Sequence, residues 1–337
     1  MAGNSDSPVR PKRVTAQMVA DLAGVSRSAV SRALNGGGYV DAQKREQIVK
    51  AAAELGYQPN ALAATLQGGA SRLVAIVAGD IRNVHDSNFV LRLCEGLNRQ
   101  GFWPLVITGS QSASGITVED ALRFPLDAIV VRGGSMTEAL VDRCGKLNIP
   151  MICYGRSLEN AKADAVCCEN AAGTRKATEL LLTKGRKKFG FISGPQGFFS
   201  SDQRRRGLIE TLDQAGLSLS FEHPGDFTVD GGFAAAQAMI AAGEAIDALI
   251  CANDASAIGA LGALRSCNID VPSQMSVIGF DDAEMARWPM FALTTVQNTI
   301  DLMVETILDL IQRRITAPER PAKTVTVMPE IVLRETH

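Results

Sequence analysis

Arg27, Ser28, Ser31 and Arg32 are spaced to share one face of a helix, while Ala29, Val30, Ala33 and Leu34 share the other. Guanidinium and hydroxyl groups in that array can contact phosphates and read base edges, with arginine to guanine the commonest specific pairing. The elements that must position this face lie just before it. Val19, Leu22 and Ala23 give a preceding helix one apolar side, and Thr15 is placed to cap its free N–H groups. Gly24 falls where the chain turns, at a positive φ that glycine adopts at little cost. Ser26 is placed to cap the second helix. Ala20 lets the two helices cross closely, and Val30 can fill the angle between them. This is the spacing of a helix-turn-helix whose second helix enters the major groove. An ordinary helical hairpin buried in a core has the same pattern, so these twenty residues leave both readings open.

A chain of 337 residues can bury large cores, and its length predicts two or three domains. Charge is unevenly spread. Residues 1–72 hold nine Lys/Arg and five Asp/Glu, a net of +4, and the remainder holds 25 and 31, a net of −6. A basic head on an acidic body suits a polyanionic partner for the head alone. No apolar run approaches the ~18 residues of a membrane span, and the polar, basic first thirteen residues do not read as a secretory signal. The expected location is the cytoplasm, with no membrane partner. Seven cysteines, none in a CxxC pair, fit that compartment and read as small buried hydrophobes. Cys167 and Cys168 are adjacent on a strand, so their thiols should point to opposite faces, which disfavours a redox pair.

Taken in order, residues 1–13 read as a disordered basic arm with Arg10, Lys12 and Arg13. Residues 14–58 form a three-helix headpiece: Asp41 caps a third helix over about 42–55, with Ile48, Val49, Ala52 and Leu55 on one side. Residues 59–72 form a hinge helix and linker. Pro59 breaks the preceding helix and Asn60 can cap a new one of about seven residues, well under the ~12–15 at which isolated helices become marginally stable. That segment folds only if something packs on it. Residues 73–337 form the body. There, short apolar runs such as LVAIVAG (73–79), DAIVVRG (127–133), PMICYG (150–155), FGFISG (189–194), DALICAND (247–254) and SVIGFDD (276–282) alternate with amphipathic helices. This is the βαβ pattern of doubly wound parallel sheets, with too many units for one small sheet, so two lobes are expected.

Read together, VTAQMVADLAGVSRSAVSRALNG, ELGYQPNALAATL, ANDASAIGALGALR and VIGFDD resemble the lactose/galactose repressor (LacI/GalR) family, from about residue 14 to the end and in the family's order. The resemblance implies an α/β fold: a helix-turn-helix headpiece followed by a two-lobed body like that of periplasmic binding proteins. It implies a transcriptional regulator, a repressor in the commoner case, that binds near-palindromic operator DNA as a homodimer. A small effector, a sugar or sugar acid, would bind between the lobes and control operator affinity. Arg27 and Ser28 match the family's variable base-reading positions, and Ser31, Arg32 and Asn35 its more general DNA contacts. Leu66 matches the hinge leucine that enters the minor groove. Thr15, Ser26, Asn60 and Ala63 complete the DNA-contacting set.

In the body the resemblance assigns Arg204 to a polar group of the effector, and places Asn253, Asp254 and Asp281 at strand ends facing the cleft, where parallel sheets bind ligands. Arg156 joins this set. Trp288 either offers an apolar face to a sugar ring or fills the core. Three features depart from the family's pattern. Asn83–Val84–His85–Asp86 stands where Asn-Pro-aromatic is usual, the stretch between WPLVIT and LDAIVV is short, and Gly155–Arg156 replaces the common Asp-Arg. All lie in or near the first lobe's share of the cleft. With three histidines and no GxxxxGK[ST], HExxH or GxSxG motif, an enzyme is the weaker reading, and no cofactor or metal is expected. Asp282, beside Asp281, reads as a capping residue, and Gly259 and Gly262 as sites of close helix packing. A transport-type binding protein would suit the body alone. The chain stops soon after its last strand, with no appended coiled coil, so assembly beyond a dimer by that route is not expected.

Overall fold

The computed structural model describes residues 14–35, 39–59, 70–81, 83–108, 117–156 and 163–337. The basic arm, the glycine loop 36–38 and the stretch holding Asn60, Ala63 and Leu66 lie outside the described residues, as does the side chain of Asn35. The chain divides between Ser71 and Arg72 into two compact units.

The first unit holds α1 (Ala16–Ala23), α2 (Arg27–Asn35) and α3 (Ala42–Leu55). Each start is capped by a side chain: Thr15 accepts from the Met18 N–H, Ser26 from Ala29 and Asp41 from Gln43 and Lys44. Gly24 ends α1 at φ 64° and Gly56 ends α3 at φ 65°, so both helices stop on a left-handed residue. The small core joins Val19, Ala20, Val30, Ala33, Ile48, Ala51 and Ala52. Val30 is 1% exposed, in the angle between α1 and α2. Two expected core residues are not in it. Leu22 is 49% exposed and Val49 is exposed, because the buried stripes run through Val19–Ala20 and Ile48–Ala51–Ala52 and leave both side chains at the stripe edge.

The second unit contains two α/β lobes. Lobe 1 is built from β1 (Leu73–Gly79), α4 (Val84–Arg99), β2 (Trp103–Thr108), α5 (Val118–Ala121), β3 (Ala128–Arg132), α6 (Glu138–Lys146), β4 (Met151–Tyr154) and β5 (Asp164–Cys168). Lobe 2 follows with α7 (Asn170–Thr183), β6 (Phe189–Ser193), α8 (Phe199–Gln214), β7 (Leu219–Pro224), α9 (Val229–Ala241), β8 (Ala248–Cys251), α10 (Asp254–Ser266), β9 (Ser276–Asp281) and β10 (Thr294–Gln297). The chain then returns: α11 (Ile300–Thr316) and β11 (Thr324–Val327) belong to lobe 1, and β12 (Glu330–Val332) to lobe 2. Among the described residues the strands form two six-stranded sheets, ordered β11-β5-β4-β3-β1-β2 and β12-β10-β9-β8-β6-β7. Among the described residues every strand pairing is parallel except β10 with β12.

Central strands are apolar throughout because helices cover both faces. In lobe 1, α4 and α11 bury one face with Phe89, Leu93, Ile307 and Ile311, and α6 covers the other with Leu140 and Cys144. In lobe 2, α9 and α10 pack on one face and α7 and α8 on the other. The fold is thus α/β, with two doubly wound lobes and a three-helix headpiece. The short α5 lies in the short stretch between WPLVIT and LDAIVV and is held by a capping box in which Thr117 and Asp120 satisfy each other's backbone N–H. Three short connections join the lobes: after Cys168, between Gln297 and Ile300, and between Val327 and Glu330.

Candidate functional site

On α2, Arg27, Ser28 and Arg32 are exposed on the side opposite the buried Val30 and Ala33. The two arginines carry no ion pair among the described residues. Ser26 and Ser28 share a 2.9 Å hydroxyl contact at the helix start, and Ser31 is half-buried on the same face. Thr15 and Ser26 are exposed while capping their helices, so each can serve as cap and contact.

In the second unit a cleft of about 770 Å³ lies between the lobes, at the carboxyl ends of both sheets. Arg204, on α8, sits on its floor at 5% exposure. Its Nε donates to Asn170 Oδ1 at 2.8 Å, Nη1 to the Ala252 carbonyl, and Nη2 to Asp281 Oδ1 at 3.3 Å, while its guanidinium lies 3.6 Å from the Phe280 ring centroid. Asp281 ends β9 at φ 113°, a conformation that L side chains rarely adopt and that costs of order 1–3 kcal/mol. The network that holds it includes Asn298, whose Nδ2 donates to Asp281 Oδ1 at 3.3 Å and meets His85 Nε2 at 3.1 Å. His85 comes from α4 of lobe 1, so this chain of contacts spans the cleft.

Two further links cross it. Arg132, at the end of β3, donates to Asp86 Oδ2 at 2.6 Å and to the Asp80 carbonyl at 2.7 Å, and its guanidinium lies 5.6 Å from the Phe198 ring of lobe 2. Arg156, after β4, lies 5.7 Å from the Phe199 ring of lobe 2. Burial pushes the Asp86 carboxyl above the ordinary carboxylate range, and Arg132 opposes that shift. Phe198 meets Phe227 edge to face at 5.6 Å, and Phe89 stacks on Tyr154 at 4.2 Å, so the cleft offers aromatic surface beside its charges.

The cleft therefore collects Arg156, Arg204 and Asp281 but not the other three residues expected there. Asn253 is buried; its Oδ1 caps α10 through the Ser256 N–H and its Nδ2 donates to the Phe227 carbonyl. Asp254 is buried too, accepting from Thr295 Oγ1 at 2.5 Å and from the Ala283 N–H at 2.7 Å. Both point behind the cleft wall and hold the loops that form it. Trp288 is 43% exposed and stacks on Phe291 at 6.4 Å. The 3-10 turn Glu284–Arg287 buries Ala286 and turns the indole away from both the cleft and the core. Asp282 is no cap; it pairs with Arg334 at 2.5 Å. Cys167 and Cys168 do face opposite cores, and burial pushes the Cys168 thiol up to about 12, so it stays protonated.

Sequence reasoning missed His85 as a contact, along with Asp86, Arg132, Asn170, Phe198, Phe227 and Asn298. Arg132 had a usable signal, since it ends a parallel strand, where ligands bind. Phe198, Phe227 and Asn298 lie in connections with no periodic pattern to mark them.

Residues 15–60 match the family model described as bacterial regulatory proteins, lacI family, and residues 178–337 match a periplasmic binding protein-like domain. The HTH-type transcriptional regulator CelR of Thermobifida fusca is 30% identical over 97% of this chain and 99% of its own length. The chain belongs to the LacI family. As a LacI-family protein it is a transcriptional regulator, and its other relatives agree: the probable HTH-type transcriptional repressor ExuR of Bacillus subtilis is 27% identical, covering 96% of this chain and 98% of its own. Among solved structures, the Lac repressor dimer bound to operator and the anti-inducer ONPF superposes with a TM-score of 0.86 at 25% identity, covering 96% of this chain and 99% of that one. The CelR–cellobiose complex gives 0.70 at 27% identity, covering 96% and 100%. No helix among the described residues of this LacI-family regulator is long and apolar enough to cross a membrane.

Proposed function

We propose that this regulator binds a near-palindromic operator as a homodimer, and that a small polyhydroxylated ligand in the interlobe cleft sets its operator affinity. The observation that carries the reading is the cleft itself. Contacts from both lobes converge on it through His85–Asn298–Asp281, Arg132–Phe198 and Arg156–Phe199. A ligand that replaces or reinforces those contacts binds one lobe arrangement more tightly than another, and this difference is what shifts an equilibrium.

On DNA, Arg27 and Ser28 read base edges, and Thr15, Ser26, Ser31, Arg32 and Asn35 fix the register. Two headpieces on a dyad gain avidity over one. The segment 59–72 couples cleft to headpiece: Asn60 starts its helix, Ala63 faces the DNA, and Leu66 wedges into the minor groove. It is too short to be stable alone, so it forms only where two bodies hold two copies together on the duplex. The relatives support the reading in kind, since the Lac repressor dimer is solved on operator and CelR with cellobiose. The cleft acts by binding and not by turnover; conversion of a bound ligand would overturn that part.

The test starts with a duplex selected from a random library by the full chain. Fluorescence anisotropy with that duplex then screens sugars and sugar acids for a change in affinity. Leu66→Ala is expected to weaken the complex and blunt the ligand response. Unchanged affinity in Leu66→Ala would remove the coupling role of the hinge, and no response to any ligand that binds the cleft would remove effector control.

A further inference from the structure

The three cleft arginines differ in what neutralises them. Arg204 is held by Asp281, Asn170, the Ala252 carbonyl and the Phe280 ring. Arg132 is held by Asp86 and the Asp80 carbonyl. Arg156 has the Phe199 ring and no carboxylate or carbonyl partner for its guanidinium among the described residues. Its position is nonetheless built. A Cβ on Gly133 would fall 2.4 Å from Arg156 Cβ, so the ends of β3 and β4 touch at this point and only glycine at 133 leaves room for the arginine. A planar fork against an aromatic face, in a partly desolvated cleft and without a counter-charge among the described residues, is a bidentate receptor for a carboxylate or phosphate.

An anion alone does not match the rest of the wall. Asp80 and Asp226 also line the cleft, and among the described residues Arg204 and Asn298 both donate to Asp281 Oδ1 and none to its Oδ2. Carboxylates accept hydrogen bonds from hydroxyl groups. Phe198 and Phe227 supply apolar faces beside them.

From this ledger we infer that the ligand is a polyhydroxylated acid whose carboxylate or phosphate is held by Arg156, with hydroxyls donating to the cleft carboxylates. The inference deepens the reading above and rests on the cleft being the effector site. It gives the anion to Arg156 and not to Arg204, whose charge Asp281 already meets.

The test uses the full chain and matched ligands: glucose, glucuronate and glucose 6-phosphate; galactose, galacturonate and galactose 6-phosphate; and gluconate. Thermal shift ranks them, and calorimetry measures the binders. The acids are expected to bind and their neutral parents to bind at least about tenfold more weakly, with the acid affinity falling as salt rises. The uronate and phosphate arms tell the two anions apart. Arg156→Gln should remove the preference for acids, and Arg156→Lys should keep part of it, because lysine keeps the charge and loses the fork. Ligand-free melting of each variant reports folding; if the glutamine variant does not fold, the lysine variant and the salt dependence of the wild type carry the test. A neutral sugar bound as tightly as its acid, an acid preference unchanged in Arg156→Gln, or no binding by any acid of the set overturns the inference. The two readings fail separately: a neutral sugar that changes operator affinity leaves effector control standing without the anion, and an acid bound through Arg156 with no effect on operator affinity does the reverse.

Discussion

Arg204 Nη2 lies 3.3 Å from Asp281 Oδ1 at the cleft floor, and each side chain is about 6% exposed. The pair joins α8 to the end of β9 beneath the space where a ligand would sit. Removing one member of a buried pair strands the other charge, at a cost of about 3–5 kcal/mol. Arg204→Met should therefore lower the stability of the body by about that much in urea unfolding. Adding Asp281→Asn should recover part of the loss. Strictly additive losses would show that the two groups are not coupled.

Helix packing in lobe 2 gives a contrasting pair. A Cβ on Gly259 would fall 2.0 Å from the Val229 carbonyl oxygen and 2.6 Å from the Phe233 nitrogen, both backbone atoms, whereas a Cβ on Gly262 would meet only the Phe233 ring at 3.5 Å. Gly259→Ala must push α9 and α10 apart and should cost at least about 1–3 kcal/mol. Gly262→Ala adds a helix former in ordinary contact and should be neutral or stabilising by up to about 1 kcal/mol. Equal melting temperatures for the two variants would contradict the packing described.

Asp254 supplies a pH signature. Burial, then the nearby Asp281, raises its carboxyl well above the ordinary value, against the opposing bonds from Thr295 and Ala283. A carboxyl raised in the folded state holds its proton more tightly there than in the unfolded chain. Its contribution is fully favourable below the ordinary carboxylate pKa and is lost as pH rises through the raised value. Asp254→Asn removes that slope, so its stability relative to wild type should increase from pH 4 toward neutrality. Urea unfolding across that range measures it, and a constant difference would rule the account out.

On the headpiece, Arg27→Ala should weaken binding to the selected operator by about 1–3 kcal/mol and relax preference at one base pair. Operator affinity of the wild type should fall steeply with salt. If Arg27→Ala weakens all sequences equally, Arg27 is a phosphate contact and not a reader.

Trp288, on the outer surface of lobe 2, supplies a negative control. Trp288→Ala should leave ligand affinity in the cleft unchanged by calorimetry. A large loss would return the indole to the ligand site.

What could be read from residues alone was local or periodic. The caps at Thr15, Ser26 and Asp41 and the turn at Gly24 follow from groups within four residues of each other, and all appear in the structure. The βαβ alternation was legible because central parallel strands are continuously apolar. The edge strand β7 was missed: it alternates between half-buried and exposed residues and ends in Pro224. So was β10, a four-residue strand rich in threonine.

The membership of the cleft is a different matter. His85 and Asn298 meet although they are 213 residues apart, brought together only by the chain's return from lobe 2 to lobe 1. Asn253 and Asp254 were correctly placed at a strand end yet point behind the wall, while Asp281, also at a strand end, faces the cleft through a backbone turn at φ 113°. Position along a strand is written in the sequence. The direction of a side chain at the strand's end depends on which neighbouring strand stops first and on what crosses beside it, and those are relations between segments far apart in the chain.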